Sequence, residues 1–404
     1  MGKNKEQNLQ IINFGIRAAK AILRRGKRLW MRCTESVDKN IICPVIYYFI
    51  EKKQKRIEID RSKPILFFCH TPYHVLITLS KAMLSEKQIA IMLYSKMPNV
   101  QEVYDHLKKS DIFSKVYLSD FKDDEMEQKY YKYAQKKYFV RWKRKQEIIE
   151  REHNLEIIKQ YYVQMYNDFC LLGYYLNVIR QPYDVLEDGL NVYEKDGFID
   201  RRCLKTYKDI AYNYIRRTVI MGYAGSAMAR RLEVNDKSII YMPYSVQILE
   251  QPRKELIQRL SEENKKNILE IFGLNTVVEQ LQECKGKKNL ILTQPLVEDY
   301  VVDSAEQQIW LYKEIIKNLE GNVFIKLHPR DKVDYSKIVN EHCHLFVRSD
   351  FPIEIINFTT IEFEECVTLC SSSVSGLYNI KHSKSLFTEY GEIRDHIKKF
   401  YQKV

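Results

Sequence analysis

The sequence predicts an α/β protein made of two α/β domains in tandem. A strand–loop–helix alternation runs from Pro64 to about residue 120, a second alternating series begins at residue 287, and a mainly helical connection over about 250–285 lies between them. Length agrees, because 404 residues exceed what one hydrophobic core usually serves.

The first series opens with "PILFFCHTPYHVLITLSKAM", 64–83. "ILFFC" is short and apolar, as a buried strand is. His70-Thr71-Pro72 makes a turn, and "YHVLITLSKAM" has helical character. "QIAIMLYS" (88–95) and "KVYLSD" (115–120) read as further strands, with "VYDHLKK" as a helix between them. Residues 121–178 are charged and tyrosine-rich and read as helices. "YDVLEDGL" (183–190) and "KSIIYMP" (237–243) look like strand ends. In the second series "KKNLILTQPL", "NVFIKLHP", "LFVRS", "IEIINF" and "VTLCSSSVSGLYNI" read as strands or strand ends around the helix-like "SAEQQIWLYKEIIKNL", and a terminal helix follows. The expected division is a leader over 1–63, a domain over 64–250, the helical connection over 251–285 and a domain over 286–404. Tandem α/β domains place a site in the cleft between them, at the carboxyl ends of strands.

The formal net charge is +12, and residues 1–63 carry +10 of it. A nucleic-acid enzyme spreads its positive charge over a working face, so no nucleic-acid partner is expected. Residues 9–32 can form a helix with Leu9, Ile12, Ile16 and Ile22 on one side and Arg17, Lys20, Arg24 and Arg28 supplying the charge. Such a helix either lies on an anionic membrane surface, with Trp30 near the headgroups, or packs on the protein's own core. No run reaches the roughly 18 apolar residues that span a bilayer, and a cleaved secretory signal is not expected. The nine cysteines show no regular framework, which fits reduced thiols.

Five short stretches carry candidate chemistry. In "LEDG", Glu187 and Asp188 sit at a strand end, where a carboxylate can take a proton from a hydroxyl; Asp-Gly is also a plain turn signal. In "TQPLVEDY", Gln294 can hydrogen-bond a ligand and Glu298 or Asp299 can act as a base. In "KLHPR", Pro329 keeps His328 extended, so its imidazole is presented from a strand end towards a phosphate. Lys326 and Arg330 add charge there. In "CSSSVSG", Ser371, Ser372 and Ser373 at a helix start can bind an anion, or simply cap the helix. In "CHTPYH", Thr71 and His74 can border the acceptor side of the cleft. Neither a phosphate-binding glycine loop nor a nucleophile elbow is present, and no D-x-D or metal-ligand cluster stands out.

As an ordered set, "FFCHTPYHVLITL", "LEDG", "LTQPLVED", "KLHP" and "CSSSVSG" resemble bacterial sialyltransferases, most closely glycosyltransferase family 52, the lipooligosaccharide and capsule group, with polysialyltransferases related. The resemblance covers about residues 64–390. It implies a GT-B fold of two Rossmann-like domains facing across a cleft, and metal-independent, inverting transfer with no cofactor. The donor would be CMP-N-acetylneuraminic acid and the acceptor a glycan ending in galactose or sialic acid. Glu187 or Asp188 would be the base, Glu187 by the polysialyltransferase pattern; Glu298 or Asp299 would serve if the base came from the second domain. His328 and Pro329 would meet the CMP phosphate, with Gln294 and the serines beside it. A cytoplasmic location at the inner membrane face would suit the basic leader, and a homodimer is left open. The competing readings are a transferase with another nucleotide-sugar donor and a membrane-associated glycan-binding scaffold.

Overall fold

The computed structural model describes residues 59–119, 155–168, 170–188, 223–226, 228–240, 246–370, 374 and 376–401. The leader helix expected over 9–32 and the serines 371–373 lie outside the described residues.

Each series of strands forms one parallel sheet. The first holds β1 (Ile65–Cys69), β2 (Ile89–Tyr94), β3 (Lys115–Ser119), β4 (Tyr162–Met165), β5 (Tyr183–Leu186), β6 (Ala229–Val234) and β7 (Gln247–Glu250), in the order β3-β2-β1-β4-β5-β6-β7. The second holds β8 (Lys288–Leu292), β9 (Asn322–Lys326), β10 (Cys343–Leu345), β11 (Phe363–Thr368) and β12 (Ile380–Ser385), in the order β10-β9-β8-β11-β12. The pairings in both are parallel. In each sheet the first strand of the chain lies inside, and later strands are added on one side and then on the other. The order therefore reverses at β1/β4 and at β8/β11. Crossover connections leave the reversal point in opposite directions, and a crevice opens beyond the carboxyl ends of those strands. Two such parallel sheets facing each other make the expected GT-B-like architecture.

Local sequence explains the entry to the first crevice. The β1 residues Leu66–Cys69 are fully or almost fully buried. Thr71 then caps α1 (Pro72–Met83), its hydroxyl accepting the His74 N–H at 3.2 Å. Pro72 occupies the first turn, where its missing N–H costs nothing.

The helical connection folds as α4 (Arg253–Gln258), α5 (Glu262–Ile271) and α6 (Asn275–Glu283), following α2 (Val100–Lys109) and α3 (Leu171–Ile179) of the first half. Its apolar residues Leu256, Ile257, Ile271 and Leu281 share one core cluster with Phe67 and Val75 of the first sheet side and Leu292, Phe324 and Ile355 of the second. Polar bonds reinforce that junction. Arg348 forks onto Glu102 at 2.9 and 3.2 Å and onto Asp350 at 2.9 Å twice. Gly273 sits beneath this fork with φ +64, and a Cβ there would come within 2.5 Å of Glu102 and 2.6 Å of Arg348.

Four expectations need correction. "IEIINF" is a 3-10 helix, Ile353–Phe358, because Pro352 starts it and five of its six residues are buried against the core, without the alternation of a strand. The strand expected at 345–349 ends at Leu345, and Arg348 leaves the sheet to reach Glu102. Tyr162–Met165, read within a helical stretch, is the central strand β4; a four-residue run buried on both faces shows no period. Residues 237–240 form turns, and the strands of that region are β6 and β7.

A buried charged cluster joins α1, β6 and α4. Glu233 accepts from Lys81 at 2.7 Å and from the Arg253 guanidinium, and Arg253 is 5% exposed. Burial pushes the Glu233 carboxyl up, but the two cations outweigh it and hold it below its usual range. Its contribution to stability is therefore present above the ordinary carboxylate range and is lost as pH falls through the depressed value. Glu233→Gln leaves Arg253 buried and unpaired, and it is expected to cost about 3–5 kcal/mol in urea unfolding at neutral pH. The loss should shrink as the comparison is repeated at acid pH; an unfolding midpoint equal to the parent's at neutral pH would refute this role.

Candidate functional site

The second-sheet side of the cleft is built at the ends of β8, β9 and β11. Leu292 of β8 pairs with Lys326 of β9 and with Thr368 of β11. The next residues therefore emerge side by side. The His328 N–H donates to the Thr293 hydroxyl at 2.9 Å, and the Arg330 N–H donates to His328 Nδ1 at 3.1 Å. An Nδ1 that accepts leaves the proton of the neutral ring on Nε2. Burial, then the charges of Arg330 and Lys326, push the His328 pKa down, with Asp299 and Glu298 opposing. At neutral pH the imidazole is thus a neutral Nε2–H donor, not the imidazolium that a resting phosphate site would suggest.

The turn carrying His328 is fixed from below. The Asp331 N–H donates to the His328 carbonyl at 2.9 Å. The buried Asp331 carboxylate accepts from the Val333 N–H, the Tyr335 hydroxyl and Gln308 at 3.1, 2.9 and 3.2 Å. Of the two flanking cations, neither stands clear. Lys326 is buried, donates to the Ser349 carbonyl at 3.1 Å and lies over the Phe351 ring; burial pushes its pKa down to about 8. Arg330 forks onto Asp299 at 2.6 and 3.1 Å.

Gln294 works inward. Its Oε1 accepts from the Cys370 N–H at 3.0 Å and the Cys370 thiol at 3.1 Å, and its own N–H donates to the Tyr312 hydroxyl at 2.9 Å. It therefore ties the end of β8 to the chain leaving β11, where the serine run starts.

The four candidate carboxylates divide by what holds them. Glu187 is 7% exposed, and Asn235 donates to both its oxygens, from its N–H at 2.5 Å and its side-chain amide at 2.9 Å. Asp299 has both oxygens on Arg330, and the Tyr390 hydroxyl adds a third bond at 3.2 Å. Glu298 accepts the Lys332 N–H at 3.0 Å through Oε1, while its Oε2 is buried with no hydrogen-bond partner among the described residues. Asp188 meets His74 Nε2 at 2.8 Å through Oδ1, and its side chain is 27% exposed. Burial pushes the Asp188 carboxyl up, but the neighbouring His74 and its hydrogen bond outweigh that and hold it below the usual range.

Three more residues, Tyr166, Glu354 and Tyr73, lie near these groups. His74 (1% exposed) stacks on Tyr166, which follows β4, with ring centroids 4.1 Å apart. Glu354, in the 3-10 helix of the second half, is raised to about 7 by burial, with Lys326 opposing. Burial and then the Glu354 charge raise the Tyr73 hydroxyl of α1. An acid inside an apolar run just after a proline was the legible sign of Glu354. Tyr166 had no such sign within a tyrosine-rich stretch. Among the described residues, no group of three His, Cys, Asp or Glu is placed to hold a metal ion, and no helix is long and apolar enough to cross a membrane.

An uncharacterized protein of Haemophilus influenzae (strain Rd) is 31% identical over 148 residues, 35% of this chain and 47% of that relative, so the match spans about half of the relative's length. UDP-GlcNAc 2-epimerase from Neisseria meningitidis bound to UDP-GlcNAc superposes with a TM-score of 0.48 at 10% identity, over 84% of this chain and 91% of that one. The S. aureus MnaA–UDP co-structure gives 0.42 at 12% identity, over 84% and 88%. Residues 90–386 match the family model described as glycosyltransferase family 52. That match takes in well over half of the sequence, including the carboxylate, His-Pro and serine motifs, and the chain belongs to glycosyltransferase family 52.

Proposed function

We propose that the protein is an inverting, metal-independent sialyltransferase that moves N-acetylneuraminic acid from CMP-N-acetylneuraminic acid to a hydroxyl of a lipooligosaccharide or capsular glycan. The observation that carries this reading is His328: a neutral Nε2–H donor held at the end of β9 by Thr293 and Arg330, beside the Gln294–Cys370 anchor of the serine run. A nucleoside monophosphate leaving group bears one phosphate. A hydrogen-bond donor and a serine-lined loop suffice to receive it, without the cation bridge that a diphosphate favours.

In this mechanism a carboxylate takes the proton of the acceptor hydroxyl, and that oxygen attacks the anomeric carbon of the sialic acid from the face opposite CMP. The bond from that carbon to the phosphate oxygen breaks, and its electron pair leaves with CMP. His328 Nε2–H meets the charge that develops on the phosphate, and Ser371, Ser372 and Ser373 supply further donors. We assign the base to Asp188, which is ionised, partly exposed and held through one oxygen. Glu298, whose Oε2 has no hydrogen-bond partner among the described residues, is the second candidate. Glu187 and Asp299 have both oxygens engaged. A glycan ending in galactose or sialic acid is the acceptor class. Residues 9–32 are proposed to hold the enzyme on the inner membrane surface, where such glycans are assembled.

Calorimetric titration is expected to give binding of CMP in preference to UDP and GDP; tighter binding of UDP would replace sialyl transfer with another nucleotide-sugar reaction. His328→Ala is expected to lower turnover by about 10²–10³-fold with little change in CMP affinity, and an unchanged rate removes His328 from the mechanism. In a parallel series of Glu187→Gln, Asp188→Asn, Glu298→Gln and Asp299→Asn, the base should stand out by a loss of about 10²–10⁴-fold in transfer. Removing residues 1–32 should reduce recovery on anionic vesicles while transfer to a soluble acceptor stays near the parent rate. Equal recovery on vesicles would disprove the anchor.

A further inference from the structure

His74 lies at the switch point of the first sheet, one helical turn past β1, and its two ring nitrogens are both committed. The His70 N–H donates to Nδ1 at 3.2 Å. Nε2 therefore carries the proton and donates to Asp188 Oδ1 at 2.8 Å. The ring is clamped as well as polarised. It stacks on Tyr166 at an interplanar angle of 4°. The Tyr166 hydroxyl bonds Thr78 at 3.0 Å, and Thr78 meets the Cys69 thiol at 3.2 Å. An imidazole with no lone pair left over cannot itself take a proton from a substrate. It can only hold its partner. Asp188, by contrast, has no second hydrogen bond among the described residues, and its side chain keeps 27% of its surface.

We infer that His74 is the positioning residue for Asp188: its Nε2–H fixes one carboxylate oxygen so that the other faces the acceptor hydroxyl. The inference rests on the proposed role of Asp188 as base. The arrangement keeps a mostly buried carboxylate charged and in one rotamer, which is what a base at the rim of a closing cleft requires. The groups facing the pair do not compete for its proton. Burial pushes the His70 imidazole down to about 3, so it stays neutral, and burial raises the Cys69 thiol to about 12. Burial also lifts Tyr166 and Tyr73 well above the neutral range. Glu187, the chain neighbour, is occupied by Asn235.

Two variants separate positioning from packing. His74→Phe keeps a ring on Tyr166 and removes both nitrogens, and His74→Gln returns a donor near the Nε2 position. The expected result for His74→Phe is a fall in transfer kcat/KM on the order of 10²-fold with CMP affinity unchanged. The acid limb of its pH profile should move to higher pH, because burial then acts on Asp188 without its counterweight. His74→Gln should recover most of the rate and the parent limb. A fall in rate with an unmoved limb, equal for Phe and Gln, would mean packing alone and overturns the inference, as does an unchanged rate. A carboxyl 13C NMR titration of Asp188 in the full-length parent and in His74→Gln and His74→Phe reads the same coupling without any donor. If the parent proves inactive on CMP-N-acetylneuraminic acid, the functional reading fails while this titration still judges the pair. An Asp188 titration identical in parent and His74→Phe rejects the pair.

Discussion

The buried contact between Glu233 and Arg253 is the constraint on which the cleft depends. Glu233 ends β6, Arg253 opens the first helix of the connection, and Lys81 brings α1 to the same carboxylate. Around this pair the backbone is closed by further bonds: the Glu187 N–H donates to the Glu233 carbonyl at 2.8 Å, and the Arg253 N–H donates to Asn235 Oδ1 at 2.7 Å. Asn235 in turn holds both oxygens of Glu187. One cluster thus fixes the end of β5, the end of β6, the body of α1 and the start of the segment leading to the second sheet. Desolvating these ions is expensive, and only mutual pairing with the surrounding hydrogen bonds offsets it. The geometry is correspondingly intolerant of change.

That rigidity gives the adjacent acids different work. Glu187 and Asp188 differ by one position, yet one faces the cluster and the other faces the crevice. Glu187 acts as a brace for the loop after β6. Asp188, on the opposite side of the extended chain, meets His74. The second half repeats the division between Asp299, neutralised by Arg330, and Glu298, with one buried oxygen that has no hydrogen-bond partner among the described residues. In both places the sequence offers adjacent carboxylates, and among the described residues only one of each pair has an oxygen outside any hydrogen bond.

The two sheets meet the cleft with opposite chemistry, as a group transfer between two substrates requires. The first offers a partly exposed carboxylate hydrogen-bonded by the His74 imidazole. The second offers a neutral imidazole N–H beside the chain that leaves β11 towards the serine run. Their joint core, in which the connecting helices lie between Phe67 and Phe324, is apolar and continuous. The Arg348 fork on Glu102 and Asp350 adds direction to a contact that hydrophobic burial alone would leave free to slide.

The sequence by itself determined the class of fold, because parallel strands buried on both faces read as short apolar runs separated by helices. It also made His328 legible as a candidate. Proline after histidine at the end of an apolar strand is a local signal, and a local signal survives without tertiary information. The tertiary structure decided the rest. The strand Tyr162–Met165 had no period to betray it. The different surroundings of Glu187 and Asp188 depend on Asn235 and His74, which lie 48 and 114 positions away in the chain. The Gln294 side chain accepts from Cys370, a partner that arrives only when β11 pairs with β8. Hydrogen-bond partners set by strand order at a switch point are long-range facts, and a reading along the chain has no term for them.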